Sequence, residues 1–146
     1  MAGFINPNLR PTQFSLPTST VEMSIRCSEL KDCDFLSKSD PVAIIFGKFQ
    51  DKWEELWRSE MLLNDLNPTW KSTFVHEYRF EETQPIKIEI YDWDTNDSGV
   101  TKKLKDQDLI GKIETNMANL VSAKNYSAVL RNKSNKGQFL TYSDVN

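Results

Sequence analysis

Cysteine is scarce. Cys27 and Cys33 are the only two in 146 residues, too few for a disulfide framework and in keeping with a reducing, intracellular setting. No stretch approaches the ~20 apolar residues of a membrane span, and the longest charge-free run, 11–21, is broken by Pro11 and Pro17. The opening residues predict neither a signal peptide nor a myristoyl anchor, since Ala2 stands where that anchor needs glycine. Basic charge is not in excess: 18 basic against 21 acidic residues give −3, which argues against nucleic-acid binding. There is no Gly-rich phosphate cradle, no Cys/His zinc spacing and no Gly-x-Ser-x-Gly elbow. The one histidine, His76, has no nucleophile or carboxylate motif around it, so no enzyme is expected. It shares parity with Phe74 and Tyr78 and reads as a hydrogen-bonded core or edge residue.

What remains is a polar globular mixture, 38% hydrophobic and 27% charged, of one-domain length. Residues 1–19, punctuated by Pro7, Pro11 and Pro17, read as a flexible tail, and 20–146 as the domain. Val21, Met23, Ile25 and Cys27 alternate with polar residues, the pattern of a half-buried strand. Pro41–Phe46 is a continuous apolar run rich in β-branched residues. Further strands are predicted at Trp53–Met61, Thr73–Phe80, Ile86–Ile90, Leu109–Ile113, Tyr126–Leu130 and Phe139–Val145. A short helix is predicted in one connection, with Thr115 as N-cap before Met117, Leu120 and Val121. Eight short strands without long helices predict an all-β, eight-stranded antiparallel sandwich.

The aspartates cluster. Asp34 and Asp40 flank the loop after the first strand, Asp92 and Asp94 end the fifth, and Asp106 and Asp108 precede Leu109. Residues i and i+2 of a strand point the same way, so Asp92 and Asp94 project side by side. Carboxylates that close repel one another unless a cation lies between them. Hard oxygens on adaptable loops suit calcium better than the strict octahedron of magnesium. Turn chemistry alone also accounts for many aspartates. An EF-hand is excluded, because Asp97 and Lys103 stand where that loop needs glycine and its closing glutamate.

The residues resemble the C2 domain family. Leu30-x3-Asp34-x5-Asp40-Pro41 is similar to its first calcium loop. Asn67-Pro68-Thr69-Trp70 with Phe74 resembles its second, and Tyr91-Asp92-Trp93-Asp94 with Asp108-Leu-Ile-Gly111 its third. Leu36–Pro41, Arg58-Ser-Glu60, Leu66-Asn-Pro68, Phe80-Glu-Glu82 and Leu120-Val-Ser122 are most similar to the first C2 domain of copines, as an isolated module or a shortened relative. The resemblance implies the C2 sandwich, of type II topology because nothing strand-like precedes Val21. It implies calcium as cofactor, held by Asp34, Asp40, Asp92, Asp94 and Asp108. The fourteen positions from Asp94 to Asp108 make a long third loop, so Asp97 or Asp106 are alternatives to Asp108.

The function implied is calcium-dependent docking to anionic phospholipid membranes by a cytoplasmic protein, through an electrostatic switch at the loops. Phe35 and Leu36, at the tip of the first loop, are candidate membrane contacts. Lys48, Lys52, Arg58, Lys71 and Arg79 are candidates for a basic lipid-binding face, though Glu54, Glu55 and Glu60 interleave with them. The alternative is a calcium-independent adaptor that uses the same fold to bind protein partners.

Overall fold

Alternating apolar residues build the first strand of the computed structural model, which describes residues 18–30, 39–94, 103–123, 125–131 and 138–143. In β1 (Thr18–Ser28), Val21, Met23, Ile25 and Cys27 are buried while Glu22 and Arg26 face water. The other strands are β2 (Pro41–Phe49), β3 (Lys52–Arg58), β4 (Phe74–Arg79), β5 (Pro85–Asp92), β6 (Asp108–Asn116), β7 (Asn125–Leu130) and β8 (Gln138–Ser143). They form two antiparallel four-stranded sheets, ordered β4-β1-β8-β7 and β3-β2-β5-β6. The first strand lies between β4 and the last strand, β8.

The core lies between the sheets. Met23 and Ile25 of β1 meet Ala43 and Ile45 of β2, the isoleucine row Ile86, Ile88 and Ile90 of β5, and Ile110 of β6. Pro41–Phe46 is continuous in sequence because β2 is covered on both faces. Val42, Ile44 and Phe46 point away from the core into a second buried cluster with Tyr91 and Trp93, against Trp53, Leu104 and Leu109.

The helix α1 (Met117–Ser122) starts one residue later than the sequence suggests. Asn116, not Thr115, is the N-cap: its side chain accepts the Asn119 backbone N–H at 2.8 Å, while Thr115 is still paired within β6, opposite Ile86. The third strand also ends sooner than expected, at Arg58, because the Ser59 backbone N–H and hydroxyl both turn to Ala43 of β2. Among the described residues, His76 has no hydrogen-bond partner for its ring. The ring stacks on Phe74 at 5.1 Å, half-buried, and desolvation followed by the nearby Arg79 charge lowers its pKa, with Glu77 opposing. Cys27 is buried, and desolvation pushes its thiol pKa far up, so it acts as a small apolar residue. Cys33 lies outside the described residues.

Candidate metal site

The site is set up where β2 begins and β5 and β6 meet their loops. Pro41 of β2 pairs with Asp92 of β5, and Asp92 pairs with Asp108 of β6. The Asp40 backbone N–H donates to Asp92 Oδ1 at 2.9 Å, and the Trp93 backbone N–H returns a bond to the Asp40 carbonyl at 2.9 Å. These two bonds tie the first loop to the third. A bulge decides the pairing: between Ile90 and Tyr91 the register shifts, so Ile110 is an extra residue on β6. Ile110 and Gly111 lie buried in succession, and a Cβ on Gly111 would come 2.8 Å from Leu130 Cβ. The extra residue brings Asp108, rather than Leu109, opposite Asp92. Two carboxylates thus stand across neighbouring strand ends, a like-charge juxtaposition that a cation relieves.

Three residues position the site: Gln107 and Asn64, which escaped the sequence reading, and Ser39, which stands in the Leu36–Pro41 segment of the first loop. Gln107, buried, grips the Asp94 backbone with both ends of its amide: Asp94 N–H donates to Gln107 Oε1 at 2.7 Å, and Gln107 Nε2 donates to the Asp94 carbonyl at 2.9 Å. That amide closes the base of the third loop as a strand pair would. Asn64, at φ 50°, donates its backbone N–H to Asp40 Oδ1 at 2.7 Å and so fastens the second loop to the site. Ser39, fully buried, accepts the Asp65 backbone N–H on its carbonyl. A lone glutamine and a lone asparagine in loops carry no pattern that singles them out. Leu63, next to Asn64, is 70% exposed, and Met61 is exposed as well. They place apolar surface beside Asp40, in the stretch leading into the second loop; Met61, expected to end the third strand, lies beyond it.

Of the five implied ligands, Asp40, Asp92, Asp94 and Asp108 stand at one end of the sandwich, on β2, β5 and β6 and the loops that leave them; Asp34 lies outside the described residues, as do Phe35, Leu36 and Asp97. Asp106 sits exposed in a 3-10 turn at Leu104–Asp106. Among the described residues, no three acidic, histidine or cysteine side chains converge as a metal-binding group. The chemistry of the donors still fits calcium: hard carboxylate oxygens only, on strand ends and loops that can adjust.

The five candidate cations do not form one cluster. Arg58 pairs with Glu55 at 2.7 Å and covers the Trp93 ring at 4.9 Å. Lys48 lies on the same outer face, over Trp53. Lys87, which the sequence reading omitted, lies there too, 4.9 Å from the Phe46 and Trp53 rings. Lys52 is at the β2–β3 hairpin, Lys71 follows the second loop, and Arg79 sits on the other sheet between Glu77 and Glu82. Among the described residues, no helix is long and apolar enough to cross a membrane.

The C2 domain family model matches residues 20–131. Nicotinic receptor-associated protein 1 of Caenorhabditis elegans is 35% identical over 133 residues, covering 80% of this chain and 21% of that protein. Copine-A of Dictyostelium discoideum is 36% identical over 125 residues, covering 85% and 18%, and Protein BONZAI 1 of Arabidopsis thaliana 33% identical over 123 residues, covering 82% and 21%. The chain thus spans about a fifth of the length of these relatives. Among solved structures, the C2A domain of plant Extended Synaptotagmin 1 aligns with TM-score 0.64 at 19% identity, over 86% of this chain and 91% of that one. The calcium-bound C2A and C2B domains of Extended-Synaptotagmin 2 align with TM-score 0.58 at 18% identity, over 90% and 47%. With the strand order, the paired loop ends and these matches in agreement, the chain belongs to the C2 domain family and is related to the copines.

Proposed function

We propose that this chain is a calcium-dependent module that docks a cytoplasmic protein to anionic phospholipid membranes. The observation that carries the reading is the lock between Asp40 and Asp92, with Asp108 held opposite Asp92 by the bulge. Asp34, Asp40, Asp92, Asp94 and Asp108 would hold the metal. When bound, calcium supplies positive charge and coordination positions open to phosphate oxygens. Two ions would carry the formal charge from −3 to about +1, concentrated at the loops, so that anionic headgroups are repelled before and attracted after. Gln107 holds the backbone at Asp94 and the Asn64 N–H orients the Asp40 carboxylate, so the site needs little reordering. Phe35 and Leu36 of the first loop, joined by Leu63 and Met61 of the second, offer apolar side chains to the lipid interface. Lys48, over Trp53, adds one basic side chain to the adjoining sheet face, where Arg58 and Lys87 are paired with Glu55 and Glu89.

Co-sedimentation with vesicles tests the proposal. Vesicles containing phosphatidylserine should pull the protein down with calcium and release it with chelator, and purely zwitterionic vesicles should not. Equal binding with and without calcium would refute it. It would favour the second reading, an adaptor for protein partners, to which the absence of a converged three-ligand group among the described residues lends support.

A further inference from the structure

The two sheets are joined along one flank by a pair of like charges. Lys112 of β6 and Arg131, just after β7, form an antiparallel bridge: each backbone N–H donates to the other's carbonyl at 3.0 Å. Residues so paired stand about 5.5 Å apart at Cα and project their side chains to the same side. Like charges in that arrangement destabilise, yet neither side chain has an ion-pair partner among the described residues. Two acids lie nearby. Glu89 faces Lys112 across β5–β6, but its carboxylate accepts the Tyr91 hydroxyl at 2.8 Å and lies 3.8 Å from Lys87 Nζ. Glu114 faces Lys87. Lys112 and Arg131 line a cavity of about 470 Å³ together with Glu114, Tyr126, Ile113 and Val129. The surrounding sequence is charged one way: Thr115 to Ser143 holds four basic residues and no acidic one, in a chain whose net charge is −3.

We infer that the Lys112–Arg131 bridge is a calcium-independent binding site for a phosphate monoester. A doubly charged phosphate between the two side chains turns a repulsive pair into an ion triplet. Arg131 offers its two-pronged fork to two phosphate oxygens, and Lys112 a point charge to the third. The site lies four residues along β6 from Asp108, roughly 13 Å at ~3.3 Å per residue, so it works apart from the carboxylates at the loop end.

The soluble ester and the lipid that share this chemistry are glycerol 3-phosphate and phosphatidic acid. Both would be titrated against the whole chain in chelator, the lipid in phosphatidylcholine vesicles, with phosphatidylserine vesicles as the diester control. Lys112→Gln and Arg131→Gln should each weaken binding by roughly ten- to a hundredfold. Binding of glycerol 3-phosphate identifies a soluble ester as ligand, and binding of the phosphatidic acid vesicles alone identifies a headgroup; either supports the site. No binding in either arm, equal binding of phosphatidylserine, or binding that survives both substitutions overturns it. The melting temperature of the ligand-free variants should hold or rise, because repulsion is relieved. A fall of several degrees in both would make the two cations structural and overturn the inference. Asp92→Asn should leave this binding unchanged, which separates it from the calcium-dependent reading.

Discussion

Replacing Asp92 by asparagine removes one charge and almost nothing else. The new amide would keep an oxygen to accept the Asp40 backbone N–H, now held at 2.9 Å. The bond loses its charge assistance, about 1 kcal/mol, and the relief of repulsion toward Asp108 across the strand pair offsets a similar amount. Metal-free stability should therefore move by less than about 1 kcal/mol. Calcium at a hundredfold excess over its Kd adds roughly 2.7 kcal/mol to the parent, which for a domain of this size raises the melting temperature by about 10 °C. Scanning calorimetry with calcium, and with magnesium at equal concentration, should show that rise in the parent with calcium alone and lose it in Asp92→Asn. Asp92→Ala is the contrast: it strands the Asp40 N–H and should cost about 1–3 kcal/mol even without metal. An Asp92→Asn protein that keeps the full calcium shift would refute the ligand set.

Gly111→Ala should destabilise by about 1–3 kcal/mol in urea unfolding, since its methyl would meet Leu130 Cβ at 2.8 Å with β7 backbone behind it. Leu63→Ala should weaken calcium-dependent vesicle binding about tenfold, as the loss of one inserted leucine worth ~1.5–3 kcal/mol implies, and leave calcium affinity in solution unchanged; Phe35→Ala with Leu36→Ala should act in the same sense. The lowered pKa of His76 means that the folded state binds its proton less readily than the unfolded chain. The stability this histidine contributes is therefore full above the unfolded value near 6.5 and is lost as pH falls from there through the folded one. The urea midpoint should drop between about pH 7.5 and 5.5 in the parent and drop less in His76→Phe.

Strands with one buried face were legible in the sequence because period-two alternation is a local signal: Val21 to Cys27 and Ile86 to Ile90 announce themselves. β2 was legible as a strand, but not that Val42, Ile44 and Phe46 serve a second cluster, because a partner on the outer face is a tertiary fact. The helix start slipped by one residue since Thr115 and Asn116 are both competent caps, and β6 continues through Thr115 to pair with Ile86. The acidic residues were legible through their spacing. What holds them was not: the Gln107 side chain grips the backbone of Asp94, 13 positions away, and the Asn64 backbone N–H holds the carboxylate of Asp40, 24 positions away, and no local pattern encodes that. The spread of the five cations over two sheets was equally invisible, because charge along a chain does not say which sheet a strand joins.

The bulge on β6 makes the alignment of Asp92 with Asp108 a matter of counting from the sheet, not from the loop. Gly111 fixes the phase by abutting Leu130, and Asp108 follows three positions upstream. Chain length between Asp94 and Asp108 does not enter that count. Residues can be gained or lost there without turning Asp108 to the other face, which makes this stretch a place where related chains can differ in length and keep the same pairing. A single insertion between Asp108 and Gly111 has the opposite effect. It adds a residue beyond the one the bulge absorbs, swaps inside for outside at the strand end, and brings a different side chain opposite Asp92. Tolerance to insertion should thus change abruptly at Asp108, from permissive before it to unforgiving after it.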